Sequence, residues 1–305
     1  MEKKRVFSKS LLLLAITSIM LFAMSITSMA ATETDMNIQQ TGSSSSKVDI
    51  TWKTYLGQNI HYHVDMSYDG INWAMQEYTY NPNETIYGLT EGSSYYVRIS
   101  VYNKDFHSTD SSKDGNLVAV SQKQLVSTNP SKVQNLRQTK ATKNSISMTW
   151  DAVAGASSYK ILIFENYDYK TVATSKTNSV TIKGLDASSN IEYYVAAVKN
   201  VNGYEAVGDR SESVDMKTVP KKVTRVAITD LYDNIKVCYY GWTSCENADG
   251  YQYEITSLKG KKKYYKATTT STSARLTTYP VGAFTKARVR AYVEINGKKT
   301  YGPWS

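Results

Sequence analysis

Residues 145–161 read SISMTWDAVAGASSYKI, and their hydrophobic period is two. Ile146, Met148 and Trp150 alternate with Ser145, Ser147 and Thr149, as in a strand with one buried face. After the turn-rich Asp151–Ser158, Tyr159, Ile161 and Ile163 begin a second strand. The pairing recurs with Trp52 and Tyr62, and again with Trp242 and Tyr251. The three tryptophans lie 98 and 92 residues apart, so one β-patterned unit is used three times. A repeat of that length predicts an all-β chain of three tandem β-sandwiches. Trp52, Trp150, Trp242, Tyr62, Tyr159 and Tyr251 are the expected core anchors.

Alternation elsewhere supports the repeat. Val48-Ile50-Trp52 and Tyr95-Val97-Ile99-Val101 serve the first unit, Ile191-Tyr193-Val195-Ala197 the second, and Ala287-Val289-Ala291 the third. Asp69-Gly70 sits between two strand-like runs as a hairpin turn signal. Linkers fall at Thr128–Ser131 and Val219–Lys221, each with a proline where a missing N–H costs nothing. The expected units are residues 31–129, 130–219 and 220–305.

These residues resemble those of a fibronectin type III domain. The likeness rests on Ile50-Thr51-Trp52 and Met148-Thr149-Trp150, and on the alanine-then-tyrosine approach in Gly155-Ala156-Ser157-Ser158-Tyr159. It also rests on Leu89 with Tyr95, which match the family's leucine and corner tyrosine, and on the closing Tyr301-Gly302-Pro303-Trp304-Ser305. The resemblance implies immunoglobulin-like sandwiches that act as spacers or binding modules. Ile191 and Thr285 replace the corner tyrosine in the second and third units, so its loop-anchoring contact is not expected there. The third unit stops at Ser305, short of most of its last strand. That reads either as a cut or short strand, or as an open edge beside the Ala287–Tyr292 strand.

The first thirty residues form a separate pattern. Lys3, Lys4, Arg5 and Lys9 precede an apolar run from Leu11 to Met24, and Ser28-Met29-Ala30 supplies small residues for cleavage after Ala30. This is the pattern of a secretory signal peptide, which places the mature chain outside the cell, released or held at the cell surface. No later stretch is long and apolar enough for a transmembrane helix. The 25 tyrosines, with many Val, Ile, Thr and Ser, suit β-structure.

Net charge is +9 and unevenly spread. Residues 31–129 carry 6 basic and 11 acidic side chains, residues 130–220 carry 11 and 9, and residues 221–305 carry 15 and 6. Cys238 and Cys245 both fall at core positions. If extended, their α-carbons stand up to about 23 Å apart, whereas a disulfide needs less than about 7 Å. Free thiols are expected unless the chain bends sharply after Trp242.

The chain holds no nucleophile elbow, phosphate loop or His-Glu-x-x-His, and only three histidines, so neither an enzyme nor a cofactor is expected. His61, His63 and Asp65 alternate on one outward face and are the candidate metal ligands, although a solvated strand face is the expected role. Tyr68, Trp73, Tyr78 and Tyr80 are candidates for an aromatic sugar platform. The strongest signal is basic. Lys259, Lys261, Lys262, Lys263 and Lys266 crowd a hairpin around Gly260, while Lys286, Arg288 and Arg290 alternate with the inward Ala287 and Val289 and so face outward. One cationic face formed from both sets suits anionic wall or surface polymers, or glycans, better than nucleic acid. A non-catalytic adhesion or spacer protein is the expected function, with other proteins as further partners. The alternative is a carbohydrate-binding accessory to extracellular polysaccharide degradation.

Overall fold

Three pairs of sheets follow one another along the chain, in a computed structural model that describes residues 31–104, 115–232, 234, 236–277 and 285–305. The signal-peptide segment lies outside the described residues. The first sandwich contains β1 (Thr32–Thr34), β2 (Gln39–Ser43), β3 (Val48–Thr51), β4 (His61–Ser67), β5 (Ala74–Thr79), β6 (Asn83–Ile86), β7 (Ser94–Tyr102), β8 (Leu117–Ser121) and β9 (Gln124–Ser127). A β2-β3-β6 sheet packs on the order β1-β8-β7-β4-β5, with β9 added to β7.

The second sandwich contains β10 (Arg137–Ala141), β11 (Ser145–Thr149), β12 (Ser158–Glu165), β13 (Asp168–Ser175), β14 (Ser179–Lys183), β15 (Asn190–Val201), β16 (Tyr204–Val207) and β17 (Val214–Lys217). Its sheets are β10-β11-β14 and β13-β12-β15-β16, with β17 on β15. The third contains β18 (Ala227–Tyr232), β19 (Val237–Gly241), β20 (Gly250–Ser257), β21 (Lys263–Thr269), β22 (Ser273–Leu276), β23 (Thr285–Ile295) and β24 (Lys298–Tyr301). It pairs β18-β19-β22 with β21-β20-β23-β24. No α-helix occurs among the described residues, so none there is long and apolar enough to cross a membrane.

Each sandwich closes over its own apolar cluster, and a tryptophan–tyrosine pair sits in each. Trp150 is fully buried and meets Tyr159 edge to face at 5.2 Å; Trp52–Tyr62 and Trp242–Tyr251 repeat this at 5.4 and 5.6 Å. The tyrosine hydroxyls accept backbone N–H bonds from Tyr55, Val153 and Cys245, at 3.0, 2.9 and 2.8 Å. Each ring therefore ties the turn after the tryptophan to the strand that follows. Among the described residues none of the three indole N–H groups has an acceptor, so the indoles serve as apolar plates.

A second repeated device explains the glycine of the closing motif. A side chain at Gly208 would collide with the Pro130 carbonyl, and one at Gly302 with that of Pro220. Each linker proline thus passes so close to its following sandwich that only glycine fits. Glutamines of β2 and β10 clamp the last residues of β9 and β17. Gln40 Nε2 donates to Ser127 O at 2.7 Å and Gln138 Nε2 to Lys217 O at 2.7 Å. Ile228 stands at this place in the third sandwich and is half exposed.

Other expectations meet a more detailed picture. Tyr95 is buried and its hydroxyl accepts the Thr90 N–H at 2.7 Å, whereas Ile191 packs into the second core. Thr285 instead hydrogen-bonds the Tyr240 hydroxyl at 2.7 Å. Asp69-Gly70 belongs to a wider loop than a two-residue turn. The Asp69 carboxylate holds it by accepting the N–H groups of Asn72 and Ile71, both at 2.8 Å. Cys238 and Cys245 are free, the first buried and the second half buried.

Candidate functional site

The outer face of the third sandwich's larger sheet brings both basic sets together. Tyr253, Ile255, Val289 and Ala291 turn inward to the core, which leaves their alternate neighbours on the outside. β20 lies between β21 and β23, and register sets Lys266, Glu254 and Arg288 in one cross-strand row. Thr256 similarly stands between Lys263 and Lys286. Lys259, Lys261 and Lys262 are exposed on the turn around Gly260, whose φ of 71° suits glycine.

The row has a negative centre that the sequence reading missed. Glu254 has only 2% of its side chain exposed, and Arg288 grips its Oε2 through Nε at 2.7 Å and through Nη2. Lys263 and Lys266 reach its other oxygen at 3.2 and 3.8 Å. Burial pushes the Glu254 carboxyl up, but the Arg288 and Lys263 contacts win and hold it below the ordinary carboxylate range. Three of the eight cations are therefore partly neutralised from beneath. Lys259, Lys261, Lys262 and Lys286 stand exposed around them.

Arg290 is fixed differently. Its Nε and Nη2 donate to Gln252 Oε1 at 3.0 and 2.6 Å. Its guanidinium lies 3.9 Å from the Tyr301 ring and 4.5 Å from that of Trp304, which also stands 4.4 Å from Arg288. The closing motif thus lays a tryptophan over two arginines, and cation–π contact sets the guanidinium planes. The signal that points to Glu254 and Gln252 is their alternation with Tyr253 and Ile255, which puts them on the arginine face once β20 and β23 are paired.

The same address is used in the first sandwich. Asp65 is opposite Arg98, accepts its Nε at 3.0 Å, and accepts Ser100 Oγ at 2.6 Å, while Arg98 lies 4.3 Å from the Trp73 ring. In the second sandwich Leu162 faces Tyr194 there, and Tyr194 meets Tyr169 beneath Arg210.

This pairing corrects the reading of His61, His63 and Asp65 as a solvated trio. All three are buried, at 0%, 7% and 8% exposure. The histidine Nε2 atoms lie 3.1 Å apart, the His61 ring is stacked on Tyr102 at 5.4 Å, and Asp65 turns to Arg98 and Ser100. Alternation predicted their side of the strand correctly, but aromatic side chains roof that side. Among the described residues no group of three His, Cys, Asp or Glu is placed to hold a metal ion.

The aromatic candidates do not share one plane. Trp73 is half buried against Arg98, and Tyr68 leans on Tyr95 at 5.2 Å. Tyr78 and Tyr80, both about half exposed, meet edge to face at 6.5 Å. Only these last two form a contiguous exposed pair.

Residues 131–214 match the family model of the fibronectin type III domain. No curated protein sequence matches the chain. Similar solved structures include the FN1–FN3 domains of chicken CNTN1, at 14% identity over 90% of this chain and 97% of that one, with a TM-score of 0.35. A two-domain fibronectin type III segment of chicken tenascin has 16% identity over 57% and 95%, with a TM-score of 0.32. The chain contains a fibronectin type III domain, whose match at residues 131–214 lies within the second of three tandem sandwiches.

Proposed function

We propose that this is a secreted, non-catalytic binding or spacer protein of three modules, residues 31–129, 130–219 and 220–305, whose third module contacts an anionic cell-surface or wall polymer. One observation carries the reading. Eight cations occupy the face and hairpin of one sheet, with Glu254 buried among them and two guanidinium groups held in place by Trp304. Exposed lysines beside ordered arginines attract repeated negative charge and order little on binding.

The test is retention of the full chain on dextran sulfate and on polygalacturonate between about 50 and 500 mM salt. Release by salt, and loss of retention in a Lys261→Glu, Lys262→Glu, Lys286→Glu variant, are expected. Salt-indifferent retention, or a triple variant that stays bound, overturns the reading. Fractionation of expressing cells into medium, wall and membrane tests secretion. The exposed Tyr78–Tyr80 pair favours a second reading, a carbohydrate-binding accessory to polysaccharide degradation. Salt-insensitive binding of neutral polysaccharide that Tyr78→Ala removes would support it.

A further inference from the structure

The two junctions between sandwiches are built on one turn but sealed differently. Asn202-Gly203 and Asn296-Gly297 occupy matching turns between the last long strand and its hairpin partner, with φ of 51° and 84°, and 51° and 72°. Both residues being left-handed is the tight hairpin geometry that favours Asn-Gly. Each asparagine reaches into the preceding sandwich. Asn202 Nδ2 donates to Leu125 O at 2.9 Å, and Asn296 Nδ2 to Gln138 O at 2.8 Å.

Beyond that shared contact the junctions diverge. The second is closed by an apolar cluster of Ala141, Val219, Val293 and Ile295. At the place of Val293 the second sandwich has Lys199, which donates to Gly92 O at 2.6 Å. Tyr204 adds a polar link to Ser43, with the two oxygens 3.2 Å apart. Beside these contacts lies an open cleft of about 320 Å³ between the first and second sandwiches. That volume is at the lower end of the roughly 300–1,000 Å³ typical of small-ligand sites.

The lining has a definite chemistry. Asn37, Gln39, Gln124, Asn202 and Tyr204 supply the polar wall, and Ile38, Leu125 and Val201 the apolar part. Gln40 stiffens the rim, because both ends of its amide are engaged by Ser127. Among the described residues the side-chain amides of Asn37, Gln39 and Gln124 find no hydrogen-bond partner. No Lys, Arg, Asp or Glu among the described residues lines the cleft. An amide offers a donor and an acceptor side by side, which matches two adjacent hydroxyl groups. A charged ligand would lose its hydration there without gaining a counter-charge.

We propose that this cleft binds a short neutral saccharide, gripped by the amides of both sandwiches. The site is separate from the cationic face of the third sandwich and does not depend on it. Occupancy would also cross-link the two sandwiches, since Gln39 and Gln124 belong to the first and Asn202 and Tyr204 to the second.

The experiment is calorimetric titration of the full chain with neutral malto-, cello-, xylo- and chito-oligosaccharides at about 50 and 500 mM salt. One series should bind with affinity independent of salt. The Asn37→Ala, Gln124→Ala variant should weaken that binding about tenfold, as expected for two lost hydrogen bonds. The Lys261→Glu, Lys262→Glu variant should leave it unchanged. Gln39→Ala serves as a second cleft variant, and thermal midpoints check that each protein is folded. Absence of binding by every series, equal binding by uncharged peptides of similar size, or full affinity in folded cleft variants would overturn the proposal.

Discussion

Glu254 and Arg288 face each other across β20 and β23, and the carboxylate lies buried beneath a guanidinium that is itself under half exposed. The sheet builds this pair at the position where the first sandwich places Asp65 and Arg98. Replacing Glu254 by Gln should destabilise the third sandwich by about 2 kcal/mol, the scale of a charge-assisted hydrogen bond. The same change removes the negative centre of the cationic face. Equilibrium denaturation should read the loss, while retention on dextran sulfate should rise.

Acidification should act through the carboxylates held below their ordinary range, Asp69 and Glu254 among them. Backbone N–H bonds from Asn72 and Ile71 hold the Asp69 carboxyl well below its usual range. Glu254 is also lowered, its cationic partners outweighing the opposing effect of burial. A depressed folded-state pKa means that the unfolded chain binds protons first. This stabilisation is therefore fully present above about pH 5 and is lost as pH falls below about 4. Denaturation midpoints measured against pH should show an acid limb that Asp69→Asn and Glu254→Gln each make shallower.

The tryptophan–tyrosine pairs separate packing from hydrogen bonding. Tyr159→Phe keeps the ring against Trp150 but removes the acceptor for the Val153 N–H, at a cost of about 1 kcal/mol. Trp150→Ala empties a fully buried volume and should cost about 3–5 kcal/mol. Denaturant unfolding of the full chain should show both losses in one transition, that of the second sandwich.

Thiol titration should distinguish the cysteines. Cys245 is half buried and close to Ser188 at the second junction, whereas Cys238 is buried and its thiol is pushed up by desolvation. One thiol per chain should react in the native state and two after unfolding, and Cys245→Ser should abolish the native reaction.

The second junction should be rigid for an apolar reason. Val293 is 1% exposed and packs with Ala141, Val219 and Ile295. Val293→Asp would bury a charge there without a partner. Small-angle scattering should then report a broader distribution of lengths, with Asn296→Ala giving a milder change through the lost Gln138 contact.

Local order was legible in residues 145–161 because strand alternation and the Trp-to-Tyr spacing depend only on neighbours along the chain. That pattern determined the three-sandwich architecture, the buried indoles and the side of the strand on which His61, Arg288 and Arg290 emerge. It did not determine what covers that side. His61 and Asp65 are buried, and Lys266 shares Glu254 with Arg288, because strand pairing joins residues distant in sequence. The cleft beside Asn202 likewise exists only through the approach of two separately folded sandwiches. Alternation is a property of one strand; burial, charge pairing and clefts are properties of surfaces that meet, and tertiary packing alone decides those.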